Sequence, residues 1–348
     1  MRRSAFLSLV AGSALGLLAA IPAQAQQKFE IKLAYFVGDQ HAFSQWLIKW
    51  SDALEKESNG RLTFKRFPGA QMGPMAQHYD LVRTGQADVA WYLHGATPGR
   101  FPLVEIIQLP YLTGSAEIGT KVLNDPELRA KYLDAEQRGV KTLLMMTHQP
   151  GNLFTTKVPV RKVDDLKGLR IRFASPTIRD YLAALGATPV GVIATEQAEQ
   201  LQKGTIDGTV IDYGGAGIAF KLGGILKHST EMYSFVSSFS VAMNQDFRNK
   251  LPPDLQAMIT KSVTGKEKEI GEAWDGLDVP GKKALTDGGL EAHRLVPAED
   301  AKFRKAGVDL NETKIKELDG KGLPASAVYK SMKDLAEKHS KSSKNFWN

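Results

Sequence analysis

Cysteine is absent from the 348 residues. No disulfide, thiolate nucleophile, thiolate-bound zinc or iron–sulfur cluster can therefore be built from this chain. A second long apolar run is also missing: beyond residue 21 nothing approaches the roughly 20 apolar residues of a membrane-spanning helix. Charge of one sign is not concentrated anywhere. The 45 Lys and Arg residues and 38 Asp and Glu residues, net +7, are interspersed. Nucleic-acid binders gather basic charge on a stripe, so no nucleic-acid partner is expected. Neither GxSxG nor a P-loop occurs, and Gly214-Gly-Ala-Gly217 lacks the full dinucleotide pattern and reads as a turn after a strand. None of the seven histidines stands at HxH or HxxxH spacing. The sequence thus nominates no metal site, no cofactor and no catalytic triad.

What is present is an ordinary globular composition, 43% hydrophobic and 24% charged. The length suggests two domains. Arg2 and Arg3, the uncharged apolar run 5–21 and the small-x-small Ala23-Gln24-Ala25 read together as a cleaved export signal, residues 1–25. Its removal takes the net charge from +7 to +5. Export places the mature chain in the bacterial periplasm.

Along the chain, residues 29–35 alternate as a half-buried strand, and Phe43, Trp46, Leu47, Trp50 and Leu54 have helical spacing up to the stop at Asn59-Gly60. A strand at 62–67, a helix at 75–84 and a buried strand at 87–93 complete a β-α-β-α-β unit. Residues 101–112, with two prolines and little periodicity, read as a loop. Strands at 141–147, 153–156, 169–173 and 206–213, with helices at 176–185 and 195–203, repeat the same rhythm. Residues 234–243 form one apolar strand that returns the chain to the first lobe. Helices follow at 252–276 and 280–288, then a short strand at 291–295. The lysine-rich remainder is helical, and its tail is expected to fray.

Two α/β lobes with crossing strands enclose a cleft, and ligands bind outside the carboxyl ends of such strands. Arg172 stands out there, inside a strand between apolar Ile171 and Phe173. A guanidinium held near a cleft suits bidentate binding of a carboxylate, although a strand arginine can equally pair with an internal Asp. Tyr35, Phe36, Trp91, Tyr92 and Tyr213 crowd the strand ends. They would make a slot for a flat apolar ligand, and the same rings serve equally well as core.

Several segments, in order, carry a resemblance. IKLAYFVGDQHAFSQWLIKWSDALEKESNGRLTFKRFPGAQMG, LVRTGQADVA, DLKGLRIRFASPTIRDYLAALGATPVG, TEQAEQLQKGTIDG and VAMNQDFRNKLPPDLQAMI span nearly the whole mature chain. The chain resembles the substrate-binding proteins of tripartite ATP-independent periplasmic (TRAP) transporters, the DctP type. The resemblance implies a two-lobed periplasmic binding protein fold (α/β, type II-like), with crossing hinge strands and a long C-terminal helix across both lobes. The expected division is 26–149 with about 236–278 as lobe I, 150–235 with about 279–315 as lobe II, and 316–348 as C-terminal helix and tail. It implies capture of an organic acid for delivery to a small and a large membrane subunit, by a monomer. The arginine of the family's "GLKIRV" motif, which grips the ligand carboxylate, falls on Arg172.

Departures from the family pattern bear on the ligand. Asn152 stands where sugar-acid members carry an arginine, and Val210-Ile211 where they carry Glu-Asn. Phe36 replaces a polar residue, and Tyr92-Leu93 an acidic position. Members that hold a sodium ion have Glu-Trp where Val210-Ile211 stands, so no metal is expected. Unpaired buried polar groups cost about 1–3 kcal/mol each, which disfavours a sugar acid. The reading is a compact monocarboxylate with an apolar body, an aromatic acid of the benzoate or hydroxybenzoate type, bound by Arg172 with Phe36, Trp91, Tyr92, Leu93, Ile211 and Tyr213 around it. Tyr35, His41, Asn152, Ser175 and Phe239 are further candidates. An aliphatic keto or branched acid, or a ligand-sensing role beside a signalling system, are the alternatives; enzymatic turnover is not expected.

Overall fold

The computed structural model describes residues 27–347. The export signal read at 1–25 lies outside the described residues.

The first sheet is assembled from β1 (Phe29–Ala34), β2 (Leu62–Phe67), β3 (Val89–Leu93), β4 (Val140–Thr147) and β10 (Ser238–Asn244), in the order β2-β1-β3-β10-β4. β1 pairs in parallel with β2 and β3, whereas β10 runs antiparallel between β3 and β4. The second sheet holds β5 (Gly151–Thr155), β6 (Arg170–Phe173), β7 (Thr188–Gly191), β8 (Gly208–Ile211), β9 (His228–Phe235) and β11 (Glu291–Arg294), ordered β11-β9-β5-β8-β6-β7. β6 is parallel to β7 and β8, and β5 is antiparallel to both β8 and β9. Each sheet therefore contains a parallel triplet in the order second, first, third, then an antiparallel strand, then a fourth strand. The antiparallel strand of each sheet directly follows a strand of the other: β5 follows β4, and β10 follows β9. This exchange is the hinge, and the repeated rhythm of the sequence is its local signature.

Helices cover both faces of each sheet, as parallel strands require. α1 (Ala42–Glu57) buries Phe43, Leu47, Trp50 and Leu54, and ends at Ser58 before Asn59 and Gly60, both at positive φ. After α2 (His78–Arg83), α3 (Ala116–Leu123) and α4 (Pro126–Leu128) lead into β4. α5 (Pro176–Ala184) and α6 (Gln197–Gln202) belong to the second sheet. α7 (Gln245–Lys250), α8 (Pro253–Val263) and α9 (Glu267–Asp275) follow β10, and α8 and α9 pack with α1 through Leu255, Ile259, Ile270 and Trp274. α10 (Asp278–Asp287) packs on the other sheet through Leu285. α11 (Pro297–Gly320) buries Phe303 against the second lobe, and its Ile315 joins the core of the first. α12 (Ala325–Ser340) lies on the first lobe through Val328 and Met332.

Several local expectations are corrected. The segment 234–243 is not one strand: β9 ends at Phe235 and β10 begins at Ser238, because the chain changes sheets between them. The helix expected over 252–276 breaks at Thr264-Gly265, where Gly265 has a φ of 76°. The loop at 101–112 contains a short 3-10 turn, Val104–Gln108. The single long C-terminal helix is two helices, interrupted before Pro324. The tail does not fray. Trp347 Nε1 donates to the Tyr233 carbonyl at 2.8 Å, the Phe346 ring stacks on Tyr233, and the Phe346 N–H donates to the Gly114 carbonyl at 2.9 Å. Aromatic area on a polar tail outweighs the ordering cost once a complementary ring is present.

Candidate functional site

The hinge brings the ends of β1, β3, β4, β6, β8 and β9 and the start of β10 around one cavity. About 590 Å³ of atom-free space, including its mouth, lies there.

Arg172 is its most unusual wall residue. Its neighbours on β6 and the pairing of β6 with β7 and β8 bury it to 3% exposure. Nε donates to the Val192 carbonyl at 3.1 Å, which orients the guanidinium plane. Among the described residues no carboxylate lies within ion-pair distance of it, and no protein acceptor meets its Nη groups. Burial alone lowers its pKa from 12.5 to about 10, so it remains a cation at neutral pH. A buried cation without a counter-ion is costly. Its neighbour Arg170 shows the ordinary solution, with Asp207 accepting from both Nε at 3.0 Å and Nη2 at 2.9 Å.

The first lobe supplies an aromatic wall. Phe36 lies 4.5 Å from the Trp91 ring centroid, Phe239 stacks on Trp274 at 5.7 Å, and His41 meets Trp91 at 5.5 Å and Trp274 at 5.1 Å. Leu93, Val37 and Met75 complete this side. Val210, Ile211, Phe220 and Phe235 face it from the second lobe. Trp91 Nε1 and Trp274 Nε1 are buried and meet no acceptor among the described residues. His41 caps α1: its Nδ1 accepts the Phe43 N–H at 3.1 Å, so the neutral ring carries its proton on Nε2. Burial pushes the His41 pKa down to about 4, which keeps the ring neutral. Asp212 is buried, and its Oδ1 accepts the Gly215 N–H at 2.7 Å. His148 Nε2 accepts the Ser237 N–H at 3.0 Å, and its Nδ1 lies against the Gln149 carbonyl. The cavity therefore offers one strong cation, the Asp212 carboxylate, several neutral donors and a large apolar surface.

Of the residues read from the sequence, Arg172, Phe36, His41, Trp91, Leu93, Ile211 and Phe239 line this cavity together. The other five lie elsewhere. Tyr35 turns away and donates to Asp39 at 2.7 Å. Tyr92, adjacent to Trp91, points to the opposite face of β3, where its hydroxyl donates to Gln137 and its ring meets Tyr79 and Phe101. Tyr213 is core, bonded to Ser229 at 2.8 Å and packed edge-on against Phe154. Asn152 serves the backbone: its Oδ1 accepts the N–H groups of Met232 at 2.9 Å and Tyr233 at 2.8 Å, where the β5–β9 register shifts. Ser175 caps α5. Trp274, His148, Phe235, Phe220 and Asp212 were not identified from the sequence as site residues. Only Asp212 carried a signal, its place at a strand end; the others reach the cavity through the crossing of the lobes.

Comparison with known proteins places the chain in a family. The sequence profile of DctP, bacterial extracellular solute-binding protein family 7, matches residues 33–316. The C4-dicarboxylate-binding periplasmic protein DctP of Rhodobacter capsulatus is 25% identical over 308 residues, covering 86% of this chain and 90% of that one. A marine metagenome TRAP solute-binding protein specific for aromatic acid ligands, solved with metahydroxyphenylacetate, is 30% identical. Its TM-score is 0.85, with 89% of this chain and 99% of that chain covered. A TRAP solute-binding protein of Rhodoferax ferrireducens, solved with copurified benzoate, is 26% identical with a TM-score of 0.85, covering 90% and 99%.

Proposed function

This chain belongs to the DctP family of bacterial extracellular solute-binding proteins, a periplasmic transport family and not an enzyme family, and from that premise we propose that it captures a compact aromatic monocarboxylate for a TRAP transporter. Export by the segment 1–25 and delivery to a small and a large membrane subunit belong to the same reading. The observation that carries it is Arg172, a buried guanidinium without a counter-ion among the described residues, facing a wall of aromatic rings. A ligand carboxylate supplies the missing charge, in the short charge-assisted geometry guanidinium favours. The ring of the acid replaces water against Phe36, Trp91, Phe239 and Trp274. One cation matches one carboxylate, and the apolar lining leaves sugar hydroxyls without enough partners.

Binding needs no covalent chemistry. The two lobes contribute different groups, so a ligand that touches both favours the closed arrangement by its differential affinity. The support from relatives is direct in kind, because two solved structures of this fold hold aromatic acids.

A calorimetric and thermal-shift series on residues 26–348 tests the reading. Benzoate, 3-hydroxybenzoate and phenylacetate are compared with succinate, glucuronate and a branched keto acid. A ligand of the folded state raises its apparent stability by mass action. Preference for the aromatic acids supports the proposal; tight binding of succinate or glucuronate with indifference to aromatic acids overturns it.

A further inference from the structure

At the far edge of the second lobe β11 pairs in parallel with β9, with Glu291 opposite His228 and His293 opposite Thr230. Glu291 and His293 share a face by the two-residue period of a strand. His228 meets them there. His293 Nε2 lies 3.3 Å from His228 Nδ1, His228 Nδ1 3.7 Å from a Glu291 oxygen, and His293 Nε2 3.8 Å from that same oxygen. All three ligand atoms are within 4.8 Å of one another. A tetrahedral ion with bonds of about 2.0–2.2 Å sets its donors roughly 3.3–3.5 Å apart. The observed triangle is within a few tenths of an ångström of that, a gap that small side-chain rotations close.

From this triangle we infer a metal site: His228, Glu291 and His293 bind a divalent transition ion of the zinc class, with water in the fourth position. Two imidazoles and one carboxylate select such an ion over calcium or magnesium, which prefer all-oxygen sites. The histidines are half-buried and Glu291 is exposed, so an ion can reach them. Arg161 stands close enough to act on His293 electrostatically. It opposes a cation there, and Glu291 supplies the compensating charge.

The site is separate from the acid-binding cavity. Phe235, at the other end of β9, lines that cavity, and the seven intervening steps span roughly 23 Å. Its consequence is local: the ion ties the short edge strand β11, and with it the link between α10 and α11, to the body of the lobe.

The experiment uses tag-free, chelator-stripped protein titrated with Zn²⁺ by calorimetry at pH 7.5, with Co²⁺ substitution followed by visible absorption. One ion per chain and a four-coordinate Co²⁺ spectrum are expected. His228→Ala and His293→Ala should each weaken Zn²⁺ binding at least tenfold, while the thermal response to acids in the cavity is unchanged. Absence of Zn²⁺ binding at micromolar protein, or affinity retained in the His228→Ala/His293→Ala double variant, overturns the inference. The Co²⁺ spectrum of the unaltered protein decides the case even if a variant folds poorly.

Discussion

Gly95 and Ser175 meet across the cleft: a Cβ on Gly95 would lie 2.6 Å from the Ser175 Cβ. Gly95 follows β3 on the first lobe, and Ser175 starts α5 on the second. Real Cβ atoms do not approach so closely, and the Ser175 Cα and Ala174 carbonyl stand just behind. Gly95→Ala should therefore hinder closure and spare the separate lobes. The expected outcome is at least a tenfold loss of affinity for the acid with little change in the unfolding midpoint of the free protein. Calorimetry and denaturation of the variant check this; unchanged affinity removes the contact from the closing mechanism.

Arg172→Ala should separate binding from stability. Loss of one partner of a buried charge-assisted pair costs about 2–5 kcal/mol, so acid binding should weaken by at least about thirtyfold. The free protein should gain stability, because burial lowers the folded-state pKa of this base to about 10 and so disfavours its charged form. Arg172→Lys should retain part of the affinity, since a lysine keeps the charge but not the bidentate fork. A calorimetric titration beside a urea melt reads both signs, and near-native affinity in the alanine variant would exclude Arg172 from the site.

Asn152→Ala tests a structural role where the family pattern places a ligand-reading group. Its Oδ1 holds the N–H groups of Met232 and Tyr233, and Tyr233 has a φ of 40°. Removing that acceptor should destabilise the fold by about 1–3 kcal/mol. The affinity of the folded variant for the acid should stay within a few-fold of native. A large selective loss of affinity at native stability would contradict this.

Glu105 and Glu136 make stability depend on pH. Burial and the neighbouring Glu136 push the Glu105 carboxyl up to about 7, and burial pushes Glu136 up to about 7 against the N–H groups of Leu103 and Val104. A carboxyl raised above its ordinary value of 4.5 stabilises the fold fully below that value and loses the contribution as pH rises towards 7. Stability should thus fall between about pH 4.5 and 7. Glu105→Gln should flatten that fall and raise stability at pH 8 by roughly 2–3 kcal/mol. Denaturant melts of both proteins at pH 5 and pH 8 measure the difference; equal pH slopes would disprove it.

Much of this molecule is legible in its sequence. Apolar spacing located β1 and α1, because period 2 and period 3.6 follow directly from backbone geometry, and β3 and β4 were legible as short apolar runs. Arg172 was visible as a charged residue between apolar neighbours in a strand. At two adjacent pairs only one residue of the two lines the cavity. Phe36 reaches the cavity and Tyr35 does not; Trp91 reaches it and Tyr92 does not. Trp91 and Tyr92 leave β3 on opposite faces, as successive strand residues do, whereas Tyr35 and Phe36 lie just past the end of β1, where the Tyr35 hydroxyl is held by Asp39. Asn152 and Ser175 were claimed by backbone N–H groups, a demand that a residue list does not display.

The sequence by itself determined the α/β rhythm of the two lobes, most of their strands and the residue types available for an acid-binding cleft, since those depend on local propensity and burial pattern; α3, β7 and most of β9 were not legible in it. Tertiary structure alone decided which side chains share a cavity. Phe36, Arg172, Phe239 and Trp274 meet because β5 and β10 exchange between the sheets and α9 folds back on the first, and His228 meets Glu291 and His293 because β11 docks on β9. Such encounters join residues tens to hundreds of positions apart, and no local period records them.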